Sequence, residues 1–294
     1  MTAETPCFTR FAAIDWSGAK GRRHKGIAIA MCEAGNAAPR LVRPGFVWSR
    51  TEALDWLIKT AAEAPTLFGF DFSFAPPIAD RGEYLPGQPG VPVSARAFWA
   101  YVDSHCEDED LGAASFLEQS HRSHFYFGIA DGVKSRFMHF RQCDARLNAQ
   151  GGRKTASAYD AIGAAQVAKA SFSGMRLLHR LDWQVPIWPF DFIRDNRVGT
   201  PSGQSAVVEI YTRIYLRKAG LAGTKLRSRT ELNRALKALG SAPARLRFEP
   251  NDHQTDAIVT AAGMRALASL PEYWAPAGLT PELACSEGWT FGIA

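Results

Sequence analysis

The sequence FAAIDWSG, residues 11–18, decides the fold, because a short apolar run ends there in an acid that is followed by a turn. An apolar run of this length is typical of a buried strand, and Asp15 stands at its carboxyl end. The residues Trp-Ser-Gly that follow are a turn signal. The sequence TLFGF, residues 66–70, repeats the pattern and leads directly into Asp71. The sequence therefore predicts two strands, each with a carboxylate at its carboxyl end.

Hydrophobic periodicity predicts further elements along the chain. Thr51 is expected to be the N-cap of the first helix, and the dipeptide Gly35-Asn36 to form a turn between two early strands. The predicted strands are 11–15, 25–32, 41–48, 66–70, 205–211 and 287–293, and the predicted helices are 51–64, 94–102, 158–181, 230–239 and 252–270.

The order of these elements predicts the topology of the sheet. Three strands before the first helix indicate an antiparallel meander, and the helix then supplies a crossover to a parallel strand. We therefore expect strand 66–70 to lie beside strand 11–15, with Asp15 and Asp71 at one edge of the sheet. Ligands in open α/β sheets bind at the carboxyl ends of the strands.

The chain divides by composition into an α/β core and an insertion. Residues 1–77 are expected to form the first part of the core and residues 201–294 the second part. Residues 78–200 are irregular, with Gly/Pro-rich turns, an acidic run and helix-like stretches. They predict a largely helical insertion or a small sub-lobe.

The overall composition is that of an ordinary globular protein. The chain has 294 residues, of which 46% are hydrophobic and 21% charged, and its net charge is +5. Its five cysteines are scattered and form no C-x-x-C pair, which favours free thiols in a reducing compartment. No signal peptide and no membrane span is evident, so we expect a cytoplasmic protein.

A third group of candidate ligands lies at the start of the last predicted helix. His253 and Asp256 are three residues apart and face the same way, whereas Asp252 is more typical of a helix cap. Carboxylates that crowd together repel one another unless a cation neutralises them. Together with Asp15 and Asp71, these residues predict an oxygen-rich site for Mg²⁺ or Mn²⁺.

Five motifs together resemble a known family. They are AAIDWSG (12–18), GFDFSFAPP (69–77), VVEIY (207–211), DHQTDAIVTAA (252–262) and EGWTFG (287–292). They are similar to the domain-of-unknown-function family 429, whose members are predicted RNase H-like nucleases, and the order of acids also resembles the Holliday-junction resolvases of that superfamily. The resemblance covers most of the chain.

The resemblance implies an RNase H-like mixed sheet, an antiparallel meander plus parallel strands, that carries a helical insertion. It also implies metal-dependent hydrolysis of a phosphodiester bond in DNA or RNA. Asp15 and Asp71 would bind the metals, and Asp256 with His253 would hold a second metal or orient the attacking water. Glu209, the acid of the E-[VI]-Y motif, would be a further ligand or a residue that supports one.

The basic loop beside Asp15 leaves other functions open. Lys20, Arg22, Arg23 and Lys25 would hold nucleic-acid phosphates by charge, or they would form a solvated hairpin loop. The sequence D-x-S-G-A-K also resembles the first phosphate loop of actin-like kinases, which predicts an ATP-handling enzyme as the alternative. A third hypothesis is a catalytically silent module that binds nucleic acid or protein.

Overall fold

A mixed five-stranded sheet forms the centre of the protein. The computed structural model describes residues 7–151, 155–163, 166–221 and 225–294. The strands of the sheet lie in the order β3-β2-β1-β4-β7. Their bounds are β1 (Arg10–Asp15), β2 (Ala28–Glu33), β3 (Arg40–Leu41), β4 (Thr66–Phe70) and β7 (Ala206–Glu209), and a separate two-stranded ladder joins β5 (Ile193–Arg194) to β6 (Arg197–Val198).

Helices cover both faces of this sheet. One face packs against the last long helix, which runs along β1 and β2, and the other face carries the first helix and two helices of the insertion, Ala95–Ser104 and Val167–Arg180. The helices are α1 (Arg50–Glu63), α2 (Ala95–Ser104), α3 (Gln142–Ala149), α4 (Val167–Arg180), α5 (Thr212–Lys218), α6 (Arg229–Ala238), α7 (Asp252–Leu267) and α8 (Pro281–Cys285).

The predicted α/β class and the pairing of the first four strands are confirmed. β1, β2 and β3 form an antiparallel meander, and β4 pairs with β1 in parallel after the α1 crossover. β7 adds a further parallel strand beside β4. The carboxyl ends of β1, β4 and β7 therefore meet at one edge of the sheet.

Strand alternation assigns the residues of β1 and β4 to two cores. Ile14 and Phe70 pack on the face of α1, α2 and α4, whereas Ala13 and Leu67 pack on the face of α7. Residues of the insertion share the first of these cores, since Phe98 and Phe172 lie in the same buried cluster as Phe70. Within the described part of 78–200, helices α2, α3 and α4 are separated by long irregular segments and short 3₁₀ turns.

The predicted strand over 41–48 is wrong in its extent, because β3 ends at Leu41. The chain turns at Arg43, whose φ is 50°, and at Gly45, whose φ is 82°, and Pro44 between them has no N–H for a ladder. It rejoins the sheet region only at Trp48, which bridges to His24. The apolar residues on both sides of Pro44 and Gly45 therefore concealed a loop that leaves the sheet.

Other element ends also differ from the prediction. The N-cap of α1 is Ser49, which forms a capping box with Glu52, so Thr51 lies inside the helix. The predicted closing strand over 287–293 is reduced to a single bridge from Thr290 to Glu209. The predicted helix over 158–181 shortens to α4, and its residues 164 and 165 lie outside the described residues.

The state of the cysteines and the length of the helices bear on two expectations about the chain. The five cysteines are all free thiols. Among the helices that the structure describes, none is both long enough and apolar enough to cross a membrane.

Gly174 of α4 sets how closely this helix approaches the segment after β4. A Cβ at position 174 would overlap the ring of Phe72, the residue next to Asp71. Alanine normally stabilises a helix relative to glycine, by ~1 kcal/mol. Here the clash dominates, since the Phe72 ring is buried and packs against Trp16 and Phe70.

We expect Gly174→Ala to lower the free energy of unfolding by ~1–3 kcal/mol, the usual effect of overpacking a core. Urea denaturation measures this change. The double variant Gly174→Ala/Phe72→Leu should lose less stability than the sum of the two single variants, because the smaller side chain relieves the clash. Additive losses would show that the close approach is unimportant.

Candidate functional site

Asp15 and Asp71 lie side by side at the carboxyl edge of the sheet. Ile14 and Phe70 are register partners in the parallel pair, and the Asp71 N–H donates to the Ile14 carbonyl over 3.1 Å. Alternation directs both carboxylates to the face that α7 covers. Gly69, two residues before Asp71, faces the side chain of Met264 in that helix.

The first turns of α7 bring His253 and Asp256 to the same place. His253 Nδ1 lies 2.7 Å from Asp15 Oδ2, although the two residues are 238 positions apart in the chain. The helix begins beside the sheet edge because Asn251 caps it in a capping box with Gln254. The expected juxtaposition of the strand-end acids with the H-x-x-D pair is therefore present in the geometry.

The electrostatics show that three carboxylates share this region. Burial, together with the negative charges of Asp15, Asp256 and Glu209, raises the pKa of Asp71 well above its ordinary value. Burial and the charge of Asp15 raise the pKa of Asp256 to about 7, against an opposing effect of Arg213. Burial also raises the pKa of Asp15. Negative charge is thus concentrated here beyond what the neighbouring cations offset.

His253 supplies one of the cationic groups of the site. Its hydrogen bond to Asp15, and the charges of Asp15, Asp256 and Asp252, raise the pKa of His253 although burial opposes this. The His253 side chain is 49% exposed while that of Asp15 is 13% exposed. The site is therefore open to solvent at His253 and closed at the sheet.

The hydroxyl of Thr212 holds Asp71 from the start of α5. It hydrogen bonds to the Asp71 carboxylate and lies 2.9 Å from the hydroxyl of Thr260 in α7. Thr212 and Thr260 are both buried, so this chain of hydroxyls fixes the Asp71 side chain between α5 and α7. No sequence motif pointed to Thr212.

The candidate ligands do not have the arrangement of a closed metal site. Among the residues that the structure describes, no three His, Cys, Asp or Glu side chains lie in positions that would hold one ion. Asp15 Oδ2 already pairs with His253 Nδ1. The donor set itself, three carboxylates with an adjacent imidazole, fits a hard divalent cation.

Glu209 faces the other side of the sheet from Asp15 and Asp71. It lies two residues after Val207 in the same strand, so it faces the same side, and the Val207 side chain packs in the core of α1 and α4. The Glu209 carboxylate accepts from Arg141 Nη1 at 2.6 Å and Nη2 at 2.5 Å, from the Thr290 hydroxyl at 2.6 Å and from the Phe74 N–H at 2.7 Å. These four donors use its lone pairs and fix the Glu209 carboxylate on this side of the sheet.

The hydrogen bond from the Phe74 N–H to Glu209 fixes the segment that follows Asp71. A second buried carboxylate, that of Glu287, fixes the same segment a few residues later. Glu287 accepts from the N–H groups of Ile78 and Ala79 at 2.7 and 2.8 Å, and from that of Gln142 at 2.9 Å. The irregular chain after β4 is thus held by backbone hydrogen bonds to two acids.

Arg50 and Trp16 hold the segment that follows Asp15. Arg50 is fully buried and donates to the carbonyls of Ser17 at 2.9 Å and Ala19 at 2.5 Å. The Trp16 indole N–H donates to Ser173 Oγ in α4 at 3.0 Å. Arginines in such roles are not evident from the sequence, because their acceptors are backbone carbonyls.

Three of the four basic residues in the loop form ion pairs. Lys20 pairs with Glu118, Arg22 with Glu109, and Arg23 with Glu52. These pairs are largely exposed and therefore weak, so phosphate would compete with them. Lys25 is exposed and forms no ion pair with any residue that the structure describes.

Asp252 is not the helix cap that the sequence suggested. The cap of α7 is Asn251, and Asp252 is the first residue of the helix. Its carboxylate is 51% exposed and forms an ion pair with Lys225. This neighbour of the site provides a matched control for Asp256, one helical turn away.

We expect Arg141→Met to lower the free energy of unfolding by ~3–5 kcal/mol, because it leaves the buried Glu209 charge without its cation. Denaturant titration measures the loss. The double variant Arg141→Met/Glu209→Gln removes the charge as well, so it should recover much of the lost stability. A loss of less than ~1 kcal/mol for the single variant would mean that the pair behaves like a surface ion pair.

We expect Asp256→Asn to stabilise the metal-free protein at high pH. The folded pKa of about 7 lies above the ordinary 3.8, so stability is present at low pH and is lost as the pH rises from 3.8 to about 7. The neutral amide avoids this loss, which is at most ~4 kcal/mol before solvent screening reduces it.

Thermal unfolding at pH 5 and pH 8 in a chelating buffer measures the effect of Asp256→Asn. The gain should appear mainly at pH 8. The control Asp252→Asn should show no such gain, since its ion pair with Lys225 lowers the pKa of Asp252. An equal change for Asp256→Asn at both pH values would contradict the assigned repulsion.

No protein-family model, no curated protein and no solved structure matches the chain. What the protein does must therefore be argued from the chemistry of Asp15, Asp71, Asp256 and His253.

Proposed function

We propose that the protein is a metal-dependent nuclease of the RNase H-like fold, which hydrolyses phosphodiester bonds of DNA or RNA. The observation that carries the proposal is the convergence of Asp15, Asp71 and Asp256, with His253, at the carboxyl edge of parallel strands. The antiparallel meander followed by parallel strands is the sheet expected for that fold and supports the same proposal.

The charge of the site favours a divalent cation. Burial and the charge of Asp15 raise the pKa of both Asp71 and Asp256, and a bound Mg²⁺ or Mn²⁺ would neutralise that repulsion. Asp15, Asp71 and Asp256 would hold it, with His253 as a further ligand or as the group that orients Asp15. Metal ions in such carboxylate sites lower the pKa of a bound water and stabilise charge on a phosphodiester.

The residues around the carboxylates have separate roles in this proposal. Thr212 fixes the Asp71 carboxylate, while Glu209 and Arg141 hold the segment that follows it without reaching the solvent-facing side. His253 lies on the exposed side, where the substrate would enter, and its hydrogen bond to Asp15 raises its pKa. A protonated imidazole there would attract a phosphate or donate a proton to a leaving oxygen.

We expect purified protein with Mg²⁺ or Mn²⁺ to cleave DNA or RNA, and Asp15→Asn to reduce the rate by more than ~100-fold. Loss of residues that only support metal ligands already costs ~10–100-fold, so loss of a ligand costs more. The substrates are labelled single- and double-stranded DNA and RNA, with products separated on denaturing gels. The matched control Asp252→Asn changes an exposed acid on the same helix and should cleave close to the wild-type rate.

Metal binding gives an independent measurement. Titration calorimetry with Mn²⁺ should detect binding to the wild-type protein and much weaker binding to Asp15→Asn and Asp71→Asn. Absence of Mg²⁺ and Mn²⁺ binding at millimolar concentration, together with absence of cleavage, would refute the nuclease proposal. Tight Mg²⁺-dependent ATP binding without cleavage would favour the actin-like alternative instead.

A further inference from the structure

An open cleft lies beside the acid site, where the predicted strand over 41–48 leaves the sheet. Its volume is about 210 Å³, and it lies between β2, the loop after β3 and the first turn of α7. The loop exists because Arg43 and Gly45 adopt positive φ, which carries Phe46 away from β2 before the chain returns at Trp48.

The cleft and the acid site share the residues between them. Lys25 and Ile27 line the cleft, and a Cβ on the intervening Gly26 would lie 3.3 Å from Ser17 Oγ and 3.6 Å from His253 Cε1. At the start of α7, the cap residue Asn251 and Gln254 of the first turn line the cleft on either side of His253 in sequence. A polymer bound in the cleft would therefore continue directly to Asp15 and His253.

Phe46 presents an aromatic face in this cleft. Phe46 is 39% exposed, and the guanidinium groups of Arg43 and Arg23 lie over its ring, 5.4 and 5.6 Å from the centroid. On its inner side the ring packs edge-on against the buried Trp48, with centroids 5.0 Å apart. Such a supported, partly exposed ring flanked by arginines is suited to stacking on a nucleobase.

The charge of the cleft is complementary to a polyanion. Lys25 and Arg43 line it, both are exposed, and neither forms an ion pair with a residue that the structure describes. Among the described residues that line the cleft, none is acidic. The N-terminus of the 16-residue helix α7 adds positive potential at the border with the acid site.

We propose that this cleft binds a single-stranded segment of nucleic acid, with one base stacked on Phe46 and neighbouring phosphates contacted by Lys25 and Arg43. The inference rests on the proposed function in so far as it names the form of the substrate that reaches the acid site. A base inside a duplex is stacked on both faces, so only an unpaired base can offer a face to Phe46.

Fluorescence anisotropy with a labelled single strand of about 10 nucleotides, in EDTA so that no cleavage intervenes, tests the proposal. Phe46→Ala should weaken binding by about 5- to 100-fold, the range for loss of one stacked base. Phe46→Tyr keeps the ring and should retain the affinity. The matched control is Phe248→Ala, because Phe248 is 40% exposed and does not line the cleft.

A second variant tests the phosphate contact without touching the aromatic ring. Lys25→Gln should reduce the slope of log binding constant against log salt by about 0.7, as expected for one lost contact to a single strand. The same sequence annealed into a duplex should bind more weakly than the single strand. Equal or tighter duplex binding, an unchanged affinity of folded Phe46→Ala, or no single-strand binding by the wild type would each overturn the inference.

These outcomes are separate from those of the nuclease proposal. If the single strand binds through Phe46 but no metal supports cleavage, the nuclease proposal fails and the cleft stands as a binding surface. If the protein cleaves nucleic acid and Phe46→Ala binds the single strand as the wild type does, the nuclease proposal stands and the inference about the cleft fails.

Discussion

The in-register parallel pairing of β1 with β4 is the constraint on which the rest of the site depends. It sets Ile14 opposite Phe70, so the next residue of each strand, Asp15 and Asp71, reaches the same edge and the same face. A slip of one residue would direct one carboxylate into the opposite apolar core. The aromatic and aliphatic side chains of the two strands, buried on both faces, make such a slip costly. The register that buries the core is therefore also the register that brings the acids together.

The buried acids on the two faces of the sheet differ in whether their charge is matched by partners. On the α1 and α4 face, Glu209 meets a guanidinium, a hydroxyl and a backbone N–H, and its charge is matched. On the α7 face, Asp71 has a hydroxyl partner and like-charged neighbours. Buried charges without partners are costly, so the fold tolerates at the α7 face an instability that a bound cation would relieve. This contrast is why the α7 face, and not the more heavily bonded Glu209, is the reactive side of the sheet in the proposed function.

Much of this arrangement could be predicted from the sequence because it follows from local pattern and chain order. Apolar runs ended by acids located β1 and β4, and the helix between them determined their parallel pairing. The role of Glu209 could not be read in this way, since its partner Arg141 is 68 residues away in an irregular segment. The loop at 43–47 could not be read from apolar content, because apolar residues stand on both sides of it; only Pro44 and Gly45 mark the turn.

The late position of Glu287 and Thr290 in the chain has a consequence for how the protein is made. Glu287 holds the segment after β4 through Ile78, which precedes it by 209 residues, and Thr290 completes the hydrogen bonds of Glu209. His253 likewise reaches Asp15 across 238 residues. Contacts of such sequence separation form late, since loop closure must precede them. During synthesis the strands that carry Asp15 and Asp71 emerge early, yet Asp15 gains its partner only after residue 253 has left the ribosome, and Glu209 gains its last donor only after residue 290 has. The nascent chain thus passes most of its translation with the site unassembled.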